Sequence, residues 1–173
     1  MPGPARLRIP SIEAMPSPDA PEPIGLIVVD HGSRRAESNA MLEQMVVQVA
    51  EVVPYEIVEP AHMELAEPSI ATAFDACVAR GARTVVVSPY FLLPGRHWSQ
   101  DIPELVEQAA ARHPGVAHLV AAPFGLHPLM ARVVDARVAH CLAHARGEAP
   151  ECEVCAGTGT CRLVTSAGAP STA

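Results

Sequence analysis

The chain has 173 residues, about one ordinary domain with tails, and 49% of them are hydrophobic with a mean hydropathy of +0.20, so a sizeable core is available. A net charge of −7, a pI near 5.5 and the lack of any Lys/Arg run leave no electrostatic footprint for nucleic acid or an anionic membrane, and 3% aromatic content leaves no platform for stacked bases. No apolar run approaches the roughly 20 residues that span a bilayer and no signal peptide opens the chain, so a soluble protein that is not secreted is expected, with a small molecule or a protein as partner.

Residues 1–23 are proline-rich, carry few large apolar side chains and read as a disordered leader; Glu13, Asp19 and Glu22 argue against an acidic-poor organelle transit peptide. Ile24 to Val29 is a continuous apolar run, the pattern of a strand buried on both faces, and it ends at Asp30-His31-Gly32-Ser33-Arg34. Met41, Met45, Val49 and Val52 beside Leu42 and Val46 predict a helix from about Glu37 to Val52, stopped by Pro54. Tyr55 to His62 is a second strand, and Pro68-Ser69 opens a helix to Arg80 that Gly81 terminates. A third strand, Arg83 to Ser88, leads through an aromatic and proline-rich loop to Arg96-His97-Trp98. The next helix runs from about Asp101 to His113, with Asp101 or Pro103 starting it by capping or by a preset φ. Val116 to Ala122 is a fourth strand, and a last helix reaches about Arg146 with Met130, Val134, Val138, Cys141 and Leu142 on one face.

Strand and helix alternate four times, which requires parallel pairing and right-handed crossovers. The expected fold is α/β, a single open four-stranded parallel sheet with helices on both faces, over residues 24–147 and followed by a cysteine-rich tail at 148–173. In such a sheet the loops at the carboxyl ends of the strands open on one edge, so His31, Glu64 and His97 can converge without being close in sequence. Two imidazoles and a carboxylate suit a borderline divalent metal such as Fe²⁺, Co²⁺, Ni²⁺ or Zn²⁺. The competing readings are a turn histidine at His31, a solvated charge at Glu64, and a phosphate cradle on the amides of Gly32-Ser33. His62 closes its strand and ranks below Glu64; His113, His118, His140 and His144 are expected at the surface.

The strings VVDHGSR at 28–34, HMELAEPSI at 62–70, PYFLLPGRHWSQDIP at 89–103 and APFGLHPLM at 122–130 resemble the short-form sirohydrochlorin chelatases, class II tetrapyrrole chelatases of the CbiX and SirB type. The resemblance covers about residues 24–146. It implies insertion of Fe²⁺ into sirohydrochlorin, with Co²⁺ insertion as the alternative, and a homodimer holding the macrocycle in its cleft. It also implies His31, Glu64 and His97 as metal ligands and catalytic groups. Sirohydrochlorin is a polycarboxylate, so Arg34, Arg35 and Arg96 are expected clamps beside Ser33, while Phe91, Leu92, Leu93 and Trp98 are expected apolar walls. A noncatalytic metallochaperone using the same histidines is the reading from another class, and a redox sensor built on the tail is a third.

Five cysteines is an odd number, and the crowding of Cys152, Cys155 and Cys161 near the end points to metal in a reducing compartment rather than to disulfides. A CxxC followed by glycines lets backbone N–H groups approach thiolates; one ligand is then missing, for which Cys141 is the nearest candidate, with His140 or His144 behind it. The segment CEVCAGTGTCRL is similar to the carboxyl-terminal extension of plant-type sirohydrochlorin ferrochelatases, which implies a [2Fe-2S] cluster. It is also similar to half of a zinc-binding repeat of DnaJ-type chaperones, which keeps Zn²⁺ as the alternative. The tail favours iron as the inserted metal and keeps the plastid stroma beside the cytoplasm as an expected location.

Overall fold

The computed structural model describes residues 23–164. The expected leader, apart from Pro23, and the last residues of the tail lie outside them. β1 (Ile24–Asp30), β2 (Ile57–His62), β3 (Thr84–Pro89) and β4 (Ala117–Val120) form one parallel sheet in the order β2-β1-β3-β4. The helices are α1 (Ala36–Ala50), α2 (Ile70–Ala79), α3 (Ile102–Ala110) and α4 (Pro128–Ala145), and a π-helical turn at His97–Asp101 runs straight into α3. No helix among the described residues is long and apolar enough to cross a membrane.

Alternation along the strands explains the two layers. Leu26 and Val28 of β1 meet Leu42 and Val46 of α1 on one face. Ile27 and Val29, with Ile57, Ala61, Val85 and Val87, meet Phe74 of α2 and Ile102 and Val106 of α3 on the other. β1 and α2 approach so closely at Gly25 that a Cβ there would lie 2.8 Å from that of Cys77. Burial pushes the Cys77 thiol up to about 12, with the negative charge of Glu59 adding to the effect, so this cysteine is a packing residue.

Four expectations shift. Leu42 and Val46 carry the buried stripe of α1, whereas Met41 is 51% and Val52 82% exposed, because the helix ends at Ala50. β4 is shorter than expected and almost wholly exposed, as an edge strand with one neighbour can be. The helix that carries Asp101 begins earlier, as the π turn. His113 leaves the surface to stack on Phe74 at 5.6 Å and to donate from Nε2 to Asp75 at 2.5 Å.

The described residues divide into two compact units that part between Leu126 and His127. The first holds the sheet with α1 to α3; the second holds α4 and the cysteine segment. In the second unit no residue of α4 is buried, and Val134 and Val138 of its expected apolar face stay more than half exposed.

At the start of α2, Glu67 accepts from the backbone N–H of Ser69 (2.7 Å) and from the Thr72 hydroxyl (2.9 Å), while Ser69 caps the helix on the Thr72 N–H. These bonds, the Ser69 amide first, hold the Glu67 carboxyl below the usual carboxylate range. Because the folded value is the lowered one, the stabilisation is present above the unfolded value of about 4.3 and is lost as pH falls through the folded value. Glu67→Gln should therefore be less stable than wild type near neutral pH and indistinguishable from it near pH 2, as read by urea unfolding.

Candidate metal centre

The sheet reverses its order at β1, where β2 lies to one side and β3 to the other. The crevice beyond the carboxyl ends of the strands at such a switch point is where open α/β sheets bind ligands. His31 leaves β1, Glu64 follows β2, and His97 sits in the π turn beyond β3. His31 Nε2 lies 3.0 Å from Glu64 Oε1, and the His31 and His97 rings meet edge to face at 5.2 Å between centroids. All three side chains are partly open to solvent. The structure thus brings the expected trio together. Among the described residues, no group of three or more His, Cys, Asp or Glu side chains closes on one point as a tight cage does.

Backbone pairing fixes this placement. Met63 N–H donates to the Asp30 carbonyl (2.8 Å) and Glu64 N–H to the His31 carbonyl (3.1 Å), so the exits of β1 and β2 run on as a zipped pair. Gly32 makes the turn at φ +83°, and a Cβ there would lie 1.9 Å from the Glu64 carbonyl oxygen. Beneath the zipper, Asp30 Oδ1 accepts from Gly32 N–H (2.9 Å) and from His62 Nδ1 (2.6 Å). His62 is fully buried, and its Nε2 has no partner among the described residues. The sequence signal for this pair was that each residue is the last of its strand in adjacent parallel strands.

The donor chemistry suits a divalent cation. His31 Nδ1 lies 3.3 Å from the Gly32 carbonyl oxygen, and Nε2 faces the Glu64 carboxylate oxygen. Two electron-rich atoms at that distance require something positive between them, a proton or a metal ion. Ligand atoms about 2.1 Å from one ion at a right angle to each other are themselves about 3.0 Å apart, so the pair can occupy neighbouring coordination positions without moving. His97 Nδ1 lies 2.7 Å from Asp101 Oδ2, on the ring edge opposite Nε2.

The other expected contacts divide. Arg34 and Arg96 are exposed beside the trio, and Arg96 Nε lies 3.6 Å from Asp101 Oδ1. Ser33 spends its hydroxyl on the Arg35 N–H and its own N–H on Asn39, while the Gly32 N–H goes to Asp30. Both amides of the alternative phosphate cradle are therefore used. Trp98 is half-buried and donates from Nε1 to the Ala121 carbonyl at 2.9 Å, tying the π turn to the exit of β4. Phe124 and Gly125 N–H groups bond the Phe91 and Leu92 carbonyls, and Tyr90 and Phe124 meet edge to face at 4.9 Å. This rim carries exposed Leu92, Leu93 and Leu126.

In the second unit four cysteines lie close together, Cys161 touching both Cys141 and Cys155. Cys152 and Cys155 lie 3.0 Å apart, and Cys161 Sγ donates to the Cys141 carbonyl at 3.7 Å. The Cys155 thiol, as donor, lowers the pKa of Cys152. Contact with the Cys141 thiol, followed by burial, pushes Cys161 up to about 11. His140 is half-buried with its Nε2 lacking a partner among the described residues, and His144 Nδ1 donates to the Ala149 carbonyl, so neither is the surface residue expected; His118 is.

The fold and the site define a parallel α/β protein with an open two-histidine, one-carboxylate centre at the switch point of its sheet. The CbiX family model matches residues 25–141, and the chain belongs to that family. It is 58% identical over 142 residues to a chloroplastic sirohydrochlorin ferrochelatase of Arabidopsis thaliana, covering 82% of this chain and 63% of that one, so it spans less than two thirds of the relative's length. A CbiX protein from Marinobacter aquaeolei superposes with a TM-score of 0.61 at 32% identity, over 70% of this chain and 99% of that one. SirB from Bacillus subtilis with Fe³⁺ superposes with a TM-score of 0.63 at 30% identity, over 66% of this chain and 46% of that one.

Proposed function

We propose that this chain is a sirohydrochlorin ferrochelatase, inserting Fe²⁺ into the tetrapyrrole with release of two protons. The observation that carries the reading is the His31–Glu64 pair at 3.0 Å beside the His97 ring, at the switch point of a CbiX-family sheet. Insertion must strip water from the incoming ion and remove two pyrrolic protons. It needs ligands that let the metal go and bases that take the protons, and imidazole does both near neutral pH. His31 and His97 are assigned as ligands and proton acceptors, with Glu64 as the partner ligand that neutralises charge on the substrate ion. An open, partly solvated centre fits a metal in transit better than a closed cage would.

The macrocycle lies against the Leu92, Leu93 and Leu126 rim, and Arg34 and Arg96 take its carboxylates as guanidinium forks. Two copies of the chain make the cleft. Iron is preferred to cobalt because the plant relative is named for iron and because the segment CEVCAGTGTCRL resembles the tail of that class. The same name supports the plastid stroma as location.

The tail's donor set fits a two-iron cluster. Such a cluster takes two thiolates on each iron, a number that Cys141, Cys152, Cys155 and Cys161 supply, and the tail's resemblance to the plant-type extension prefers it to Zn²⁺. These four cysteines would hold a [2Fe-2S] group, which supplies one-electron redox chemistry apart from the insertion step. Anaerobic incubation of the full chain with sirohydrochlorin and Fe²⁺ or Co²⁺, followed by absorbance, tests the activity. Insertion above the uncatalysed rate, faster with iron, is expected; metal binding with no acceleration would leave a metallochaperone. A chain ending at Gly147 should lose the reddish cluster chromophore yet keep insertion within severalfold, and loss of insertion would favour the sensor reading.

A further inference from the structure

The π turn places His97 and Asp101 four residues apart on one helical face, with Nδ1 2.7 Å from Oδ2. The Ile102 N–H reaches back to the His97 carbonyl, the wide spacing that defines the turn. Asp101 stands at the helix start yet makes no capping hydrogen bond; its carboxylate is occupied instead by the imidazole, with Arg96 Nε 3.6 Å from the other oxygen. We propose that Asp101 is the positioning residue of the centre, holding the His97 imidazole as the Nδ1–H tautomer so that Nε2 keeps its lone pair for the incoming divalent cation.

This inference deepens the metal reading and rests on it. A neutral histidine in water favours the opposite tautomer, with the proton on Nε2, and would have to move that proton before ligating. A carboxylate on Nδ1 removes the need, orients the ring and raises its basicity, as partners behind metal-bound histidines do elsewhere. Among the described residues His31 has no carboxylate at its Nδ1, which faces a backbone carbonyl at 3.3 Å, so the two histidines differ in how firmly they are set.

Long-range ¹H–¹⁵N correlation spectra of the metal-free full chain report the His97 tautomer directly, and Co²⁺ absorption titrations report affinity. The proposal expects the Nδ1–H form in wild type and a shift to Nε2–H in Asp101→Ala, with Co²⁺ binding weakened roughly 10–100-fold. Asp101→Asn, which keeps an acceptor oxygen without the charge, should hold the tautomer and recover most of the affinity; it also serves if the alanine variant fails to fold. A wild-type Nε2–H form, or an unchanged tautomer and affinity in Asp101→Ala with only a lower Tm, would overturn the inference and leave Asp101 a helix-start residue. If wild type shows the Nδ1–H form yet binds no Co²⁺, the metal reading fails and takes with it the reason for the tautomer.

Discussion

His97→Ala is expected to lower kcat/KM for Fe²⁺ insertion by a factor of roughly 10² to 10⁴, the range for losing a positioned acid–base group. The fold should hold, because the ring is about half exposed, meeting His31 edge to face and Phe91 at a tilt and bonding Asp101. His31→Ala should fall in the same range. The double variant should cost little more than either single one, since both rings serve one ion and removing either disables the unit. His118→Ala, on the exposed edge strand, should leave the rate unchanged. Stopped-flow absorbance of sirohydrochlorin under anaerobic conditions gives the comparison. Wild-type rates in both single variants would remove the two histidines from the mechanism.

Gly32→Ala should be the most damaging small substitution near the site. The backbone there is at φ +83°, where an L side chain is strained, and the new Cβ would stand 1.9 Å from the Glu64 carbonyl oxygen. The obstacle is backbone that the zipper holds, so relief requires parting the exits of β1 and β2 and losing the Glu64–His31 and Met63–Asp30 hydrogen bonds. Strain and lost bonds together come to about 3 kcal/mol, or a Tm lower by roughly 10 °C. Parting those exits also separates His31 from Glu64, so insertion should fall further than stability alone explains. Gly95→Ala, with nothing within 4 Å of the added carbon, is the control and should stay within about 0.5 kcal/mol of wild type. Equal Tm values for the two variants would mean that the turn yields more easily than this geometry allows.

Much of the site was legible because parallel α/β topology turns sequence order into spatial order. Each run of β-formers ended in a loop, and equivalent loops open on one edge, so His31, Glu64 and His97 could be grouped without any contact being known. The helix faces were harder to read. Met41 and Leu42 are both apolar and adjacent, and only the crossing of α1 over Leu26 and Val28 determines that Leu42 goes inside. His113 read as a surface residue because the ring of Phe74 and the carboxylate of Asp75, more than thirty positions away, are invisible to local pattern. Asp101 was read as a helix cap from its place before Ile102-Pro103. The i,i+4 spacing to His97 was the available signal, and it became informative once the helix was seen to begin at His97.

The sequence by itself determined the alternation of strands and helices, the parallel sheet, the trio of candidate ligands and the cysteine-rich end, because periodicity, turn residues and metal-ligand chemistry are properties of local residue type. Tertiary structure alone decided the strand order that puts β1 at the switch point, the 3.0 Å meeting of His31 and Glu64, the burial of His62 against Asp30 and the approach of Cys161 to Cys141. Those depend on register and on the approach of segments distant in the chain, where a shift of a single residue turns a side chain to the opposite face of the sheet.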